Sequence, residues 1–105
     1  MKNLTEESLQ EALDYVKNSM GIMYDDDDSL FTKKIKAHAT WLCEQILYED
    51  EYVIQPETSE IILVAERTRY DLSNSLDIFQ KNYVNDLQNV VSRHALVAHR
   101  KSGVE

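Results

Sequence analysis

The chain of 105 residues has only two glycines and one proline, and this shortage constrains its fold more than any other feature. Glycine and proline are the residues that hairpin turns and strand connections need most. Hydrophobic residues still make up 43% of the chain, which is enough for one domain with its own core. The sequence therefore predicts an all-α fold, a small bundle of about four helices in a single domain over residues 1–105.

Apolar residues that recur every three or four positions give the bounds of these helices. The predicted ranges are about 5–20, about 29–48, from Thr58 or Ser59 to about Leu72, and about 74–95. Residues 1–95 thus form the predicted helical core. Residues 96–105 are expected to form a flexible C-terminal tail, because the segment "HRKSGVE" has no apolar face.

Residues with strong positional preferences support these bounds. Thr5 is a suitable N-cap for the first helix, and Gly21 can end it in a left-handed conformation. Asp28 or Ser29 can cap the second helix, and Asn74 is expected to cap the fourth. Each of these side chains would accept a hydrogen bond from an otherwise unpaired backbone N–H group.

The charge of the chain is concentrated in its first half. Residues 1–57 carry 13 acidic and 5 basic side chains, whereas residues 58–105 carry 6 of each. An acidic chain repels a phosphate backbone, which argues against a conventional DNA-binding module. The sequence has no apolar run of about 20 residues and no apolar signal core, so a soluble protein that is neither exported nor bound to a membrane is expected.

The run "MYDDDDSL" places four carboxylates, Asp25, Asp26, Asp27 and Asp28, directly before the second helix. A calcium loop of the EF-hand type needs glycine at its sixth position and glutamate at its twelfth, but counting from Asp25 gives Leu30 and Lys36. No metal site is therefore expected. Helix capping and the helix dipole explain one or two of the aspartates. The remainder favour an acidic surface that faces a channel or a docking partner, with a merely solvated loop as the alternative.

Candidate catalytic residues are few. His38 and Cys43 are five residues apart on one helix, so they point about 140° apart and do not form a nucleophile–base pair. Cys43, the single cysteine, is interpreted as a small hydrophobe, and it fits a reducing compartment. His94 and His99 could bind a metal only with further ligands. We therefore expect no enzyme, no catalytic residue and no cofactor.

Two segments of the second half carry a resemblance to a known family. The stretch "RYDLSNSLDIF", from Arg69 to Phe79, is followed by "NYVNDL", from Asn82 to Leu87, and both come after the Asp-rich turn. In its size and in the order of its predicted helices and Asp-rich turn, the chain resembles the small head–tail connector proteins of tailed bacteriophages over about residues 5–91. These proteins are also called adaptor or head-completion proteins.

The resemblance implies a structural protein that forms a ring, typically dodecameric, beneath the portal of the capsid during virion assembly. Such a ring extends the channel used in DNA packaging and docks the stopper or tail-completion protein. Double-stranded DNA would pass through it without sequence-specific binding. The implied location is the head–tail interface of the virion, and the host cytoplasm during assembly. Within this reading Arg69, Tyr70 and Asn74 are a candidate subunit-interface or structural motif.

The C-terminal segment is locally basic and has a short apolar stretch. The resemblance makes it a candidate portal-binding tail that becomes ordered on assembly. Its candidate residues are Arg93, His94, Leu96, Val97, His99, Arg100 and Lys101. The alternative function is a small acidic helical interaction or regulatory protein, such as an inhibitor that mimics DNA. Such an inhibitor is expected to spread carboxylates along one face instead of leaving half the chain neutral.

Overall fold

The described residues of the protein form four helices, which confirms the all-α prediction. The computed structural model describes residues 4–45 and 53–101. The helices are α1 (Glu6–Met20), α2 (Asp28–Gln45), α3 (Ser59–Leu72) and α4 (Leu76–Lys101). Within the described ranges the only β-type pairing is an isolated parallel bridge between Leu4 and Ile54.

The predicted bounds differ from the observed ones mainly at two helix ends. The second helix begins at Asp28, and its predicted last turn falls on residues 46–48, outside the described part of the chain. The fourth helix begins at Leu76 and continues to Lys101, six residues beyond the predicted end at residue 95. The rest of the predicted tail, residues 102–105, lies outside the described residues.

The predicted caps of α1 are confirmed at both ends. The Thr5 side chain accepts a hydrogen bond from the backbone N–H of Ser8 at 3.0 Å. Gly21 adopts a left-handed conformation with φ of 69°, which a residue with a Cβ atom adopts only at a cost. The following N–H, of Ile22, reaches back to the Lys17 carbonyl at 2.8 Å and closes the helix.

The first three helices enclose one apolar core. Its buried side chains come from α1, α2, α3 and the two bridge residues: Leu4, Ala12, Leu13, Val16, Phe31, Ile35, Ala39, Leu42, Ile54, Ile61, Val64 and Ala65. The buried hydroxyl of Ser8 donates to the Ile54 carbonyl at 2.9 Å, so the start of α1 is fixed beside the segment that precedes α3.

Helix α3 is central, because it has extensive contacts with α1, α2 and α4. Helix α4 packs mainly on α3 and adds a second, smaller apolar cluster of Leu63, Phe79 and Val90. The 26 residues of α4 span about 39 Å. None of the helices in the described residues is long and apolar enough to cross a membrane.

Candidate functional site

The acidic run connects the end of α1 to the start of α2. Asp25, Asp26 and Asp27 are exposed, and Asp28 is the first residue of α2. The ammonium group of Lys17, in the last turn of α1, lies 2.8 Å from Asp25 and 2.9 Å from Asp28. These hydrogen bonds raise the pKa of Lys17. Part of the run is therefore neutralised within the chain, by a residue that the sequence analysis had not connected to it.

The predicted N-cap of α2 was wrong by one or two positions. Asp27 is the residue whose carbonyl accepts the first helical hydrogen bond, from the N–H of Phe31 at 3.0 Å. Asp28 and Ser29 already lie inside the helix. The carboxylates in and beside this first turn still interact favourably with the positive end of the helix dipole.

Exposed apolar side chains surround the acidic run. Met23 is 95% exposed and Tyr24 54%, and Leu30 in the first turn of α2 is 49% exposed. Among the described residues, no group of three or more His, Cys, Asp or Glu side chains is placed to hold a metal ion. The chemistry at this end of the molecule is thus a surface of carboxylates mixed with large apolar groups.

Arg69, Tyr70 and Asn74 lie together at the corner between α3 and α4, but they have separate structural roles. Arg69 forms an ion pair with Glu66 of its own chain at 2.7 Å. The ring of Tyr70 packs edge to face on Phe79, at 5.8 Å between ring centroids. A role of these residues between subunits stays a prediction.

Asn74 ends α3; the prediction that it caps α4 was wrong. It adopts a left-handed conformation with φ of 56°, which asparagine tolerates better than most residues. Its N–H donates to the Asp71 carbonyl at 3.0 Å, and the next N–H, of Ser75, donates to the Tyr70 carbonyl at 2.8 Å. These two bonds are a Schellman motif. The backbone carbonyl of Ser75 accepts the first bond of α4, from the N–H of Phe79 at 3.1 Å.

Glu66, a residue that the sequence analysis missed, is the centre of a buried polar cluster. Its carboxylate accepts hydrogen bonds from the hydroxyl groups of Tyr15 on α1 and Tyr83 on α4, the latter at 3.1 Å. Burial raises the pKa of Glu66, but the hydrogen bonds from Arg69 and Tyr15 outweigh burial, and its pKa is lowered. Burial and the carboxylate together raise the pKa of Tyr83 to about 12.

Asp71 joins α3 to α2 in a second polar cluster. Its carboxylate lies 2.8 Å from Nε2 of the buried His38 and 3.3 Å from Nζ of Lys34. Arg67, one turn earlier on α3, places Nη1 2.5 Å from Nδ1 of His38. The guanidinium carbon of Arg67 lies 3.8 Å from the centre of the Trp41 ring.

Glu60 joins the start of α3 to α4 in a third polar cluster. Its buried carboxylate lies 3.0 Å from Nε2 of His94 and 3.2 Å from Arg93. Burial raises the pKa of Glu60, but the hydrogen bond with His94 and the charge of Arg93 help to lower it overall. Each of the three clusters is thus built around an acidic residue of α3.

The predicted portal-binding residues divide into two groups. Arg93 and His94 contact Glu60 in the single subunit, so they belong to the folded bundle. Leu96 is 52% exposed. Val97, His99, Arg100 and Lys101 lie on the last turns of α4, and their side chains fall outside the description. A segment free to bind the portal would therefore begin after His94.

Cys43 lies at the edge of the core, where the sequence placed a small hydrophobe. Burial raises the pKa of its thiol to about 11, so the thiol is protonated at neutral pH and a poor nucleophile. His38, which the sequence did not predict to pair with Cys43, forms hydrogen bonds with Asp71 and Arg67 of α3.

A shallow groove lies between the first turns of α3 and the middle of α4. It has a volume of about 390 Å³, and its walls combine Ile62, Tyr83 and Val90 with Asp86 and Arg93. Ile62 is 37% exposed at the groove. We call this feature the α3–α4 groove.

Comparisons with protein-family models, with curated proteins and with solved structures find no match to the chain. The contacts described above are therefore the basis for any functional conclusion, together with the resemblance of the α3–α4 corner segment.

Proposed function

We propose that the protein is a structural head–tail connector subunit of a tailed bacteriophage, which assembles with copies of itself into a ring beneath the portal. In this role the ring extends the DNA channel and docks the stopper or tail-completion protein. The subunit acts in the virion at the head–tail interface and assembles in the host cytoplasm.

The observation that carries this proposal is the incomplete covering of α4. Among the helices of the described residues, only α3 packs extensively on α4. Ile78 is 46% exposed on α4 and Val84 is 39% exposed, and Ile62 in the wall of the α3–α4 groove is 37% exposed. A neighbouring subunit in a ring would bury this apolar surface, as interfaces of permanent assemblies do.

The resemblance supports the same reading through the α3–α4 corner. The segment from Arg69 to Phe79 forms the end of α3, the turn at Asn74 and the start of α4. The hydroxyl of Tyr70 accepts a hydrogen bond from Asn82 at 3.3 Å, so the two segments that carry the resemblance contact each other. They set the angle at which α4 leaves the core, and this angle would determine how successive subunits meet.

The exposed aspartates suit a channel or docking surface. Asp25, Asp26 and Asp27 are exposed beside apolar Met23 and Tyr24. Carboxylates repel DNA phosphates, and attractive phosphate contacts are what cause proteins to bind DNA tightly. A ring with such a rim would allow DNA to slide through it.

The test is electron microscopy of the purified protein mixed with purified portal, supported by light scattering of each alone and of the mixture. We expect a ring of additional density on the tail side of the portal, and a monomer or weak oligomer without portal. A stable, tight dimer that does not bind the portal would contradict the proposal and favour a regulatory role.

The tail can be tested separately by truncation. Deleting residues 95–105 keeps Arg93 and His94 and should preserve most of the helical circular dichroism, but we expect it to abolish portal binding. Deleting only residues 102–105 is the matched control, since it retains Arg100 and Lys101, and it should bind portal normally. Normal binding by the longer deletion would refute the docking role of the tail.

A further inference from the structure

The environment of His38 determines its protonation state. Arg67 Nη1 lies 2.5 Å from His38 Nδ1, and Asp71 Oδ2 lies 2.8 Å from His38 Nε2. A guanidinium group can only donate hydrogen bonds, so Nδ1 must accept and carries no proton. Nε2 then carries the proton and donates it to the Asp71 carboxylate. His38 is therefore a neutral imidazole in one defined tautomer.

A second proton on His38 is incompatible with this geometry. It would be added at Nδ1, where the Arg67 N–H already points, and would place two donors and two positive charges 2.5 Å apart. Among the described residues, the charged groups that act on His38 are Arg67 and Asp71 from α3 and Lys34 from its own helix. Burial is the largest cause of a lowered pKa of His38, and Arg67 and Lys34 lower it further, against the opposing effect of Asp71.

Arg67 also supports the junction between α2 and α4. Its guanidinium lies over the Trp41 ring of α2 at 3.8 Å and 5.9 Å from the centre of the Phe79 ring of α4. Trp41 and Phe79 meet edge to face, with their centroids 6.5 Å apart. A displacement of Arg67 therefore changes the contact that these two aromatic rings make.

We propose that His38, Arg67 and Trp41 form an acid-sensitive junction: protonation of His38 breaks its contact with Arg67 and loosens the attachment of the α4 start to α2. This inference goes beyond the proposed connector function and does not depend on it. Above the ordinary pKa of histidine, about 6.5, the junction is intact. As the pH falls below that value toward the lower pKa of folded His38, the unfolded state binds more protons than the folded state, and the stabilisation is lost.

The test follows His38 by NMR and Trp41 by fluorescence in the full-length chain. At neutral pH we expect imidazole nitrogen shifts that show a proton on Nε2 and none on Nδ1. On acidification we expect His38 to titrate with a midpoint below pH 6.5, and the emission of Trp41, the one tryptophan, to change over the same range. The far-UV circular dichroism should stay constant across this transition.

Three variants locate the effect. His38→Gln keeps a neutral donor and acceptor and should abolish the emission transition, whereas Arg67→Met removes the guanidinium and should raise the His38 midpoint. His94→Gln on α4, which contacts Glu60 at the start of α3, is the matched control and should leave both signals unchanged. Protonation of Nδ1 at neutral pH, a midpoint at or above 6.5, or an unchanged emission transition in His38→Gln would each overturn the proposal. Because the tautomer is read in the native chain, the proposal remains testable even where a variant does not fold.

Discussion

The core of α1, α2 and α3 and the junction of α3 with α4 are built in different ways. The core is an apolar cluster in which side chains such as Ile35 and Leu42 are at most 1% exposed. The junction has a small apolar cluster and depends on polar contacts, among them those of Glu60 with His94 and of Glu66 with Tyr83. The first region is stabilised by burial, and the second is positioned by hydrogen bonds.

This difference shows why α4 can remain attached although most of its described side chains are exposed. Apolar burial stabilises in proportion to area and has little directional preference. Buried hydrogen bonds fix distance and angle, and leaving one partner unpaired costs about 1–3 kcal/mol. The few contacts of α4 therefore determine its rotation and position on α3, and they leave its flanks available to a partner.

The largest effect is expected in the core. Ile35 is 0% exposed, so Ile35→Ala removes buried methylene groups and leaves a cavity. We expect a loss of about 2–5 kcal/mol in the free energy of unfolding, measured by chemical denaturation. Val84→Ala on the exposed flank of α4 is the control and should change stability little in the isolated protein. Equal losses in the two variants would mean that α4 is also part of the buried core.

A smaller loss is expected at the junction. Glu66→Gln removes the charge that pairs with Arg69 and one of the acceptor atoms used by Tyr15 and Tyr83. The expected cost is about 1–3 kcal/mol at neutral pH, again by chemical denaturation. Tyr83→Phe removes one hydrogen bond without removing the ring, and should cost less than Glu66→Gln.

Acid should reduce the difference in the free energy of unfolding between the native chain and Glu66→Gln. The pKa of Glu66 is lowered in the folded protein, because the bonds from Arg69 and Tyr15 outweigh the effect of burial. The stabilising contribution of the Glu66 carboxylate is therefore complete above its ordinary pKa of 4.5. It is lost as the pH falls through the lower pKa of Glu66 in the folded protein. A difference that persists unchanged below this range would contradict the ion-pair explanation.

The N-cap of α3 is expected to contribute about as much to the free energy of unfolding as one ordinary hydrogen bond. The Thr58 side chain accepts from the N–H of Ile61 at 3.4 Å. Thr58→Ala should lower the free energy of unfolding by about 1 kcal/mol in thermal or chemical denaturation, and Thr58→Ser should restore it. Because α3 contacts all the other helices, a local opening at its start should also increase hydrogen exchange in the neighbouring end of α4.

The smallest effect on stability is expected from the acidic run. Changing Asp25, Asp26 and Asp27 together to Asn leaves the pairing of Lys17 with Asp28 in place. We expect melting curves that match those of the native chain, with and without calcium, whereas particles that carry the variant should lose DNA retention or infectivity. A calcium-dependent rise in the melting temperature of the native chain, absent from the variant, would identify a metal loop. Normal particles would indicate a solvated helix start.

The helices could be predicted because their signals are local. Thr5, Gly21 and the periodic apolar residues determine α1 through contacts within a few positions of the chain. Asn74 was assigned to the wrong helix for a related reason. It is the middle one of the three residues between α3 and α4, and a short polar side chain suits the end of one helix as well as the start of the other. Only the backbone conformation distinguishes a residue that ends α3 from one that begins α4.

The buried carboxylates could not be predicted, because their partners are distant in sequence. Tyr15 is 51 residues from Glu66, and His94 is 34 residues from Glu60. The available signal was the position of Glu66 within α3, between inward-facing Ala65 and Thr68. A single glutamate on a helix is ordinarily solvated, and its burial becomes evident only once the neighbouring helices are in place.

The central position of α3 also has a consequence for synthesis on the ribosome. Helices α1 and α2 leave the ribosome before α3. Their apolar faces stay partly uncovered until the chain as far as Leu72 has emerged. Residues 1–57 carry the whole net charge of −8. The unfinished chain is therefore most acidic during the interval in which it exposes the most apolar surface, and mutual repulsion between such chains opposes their aggregation before α3 completes the core.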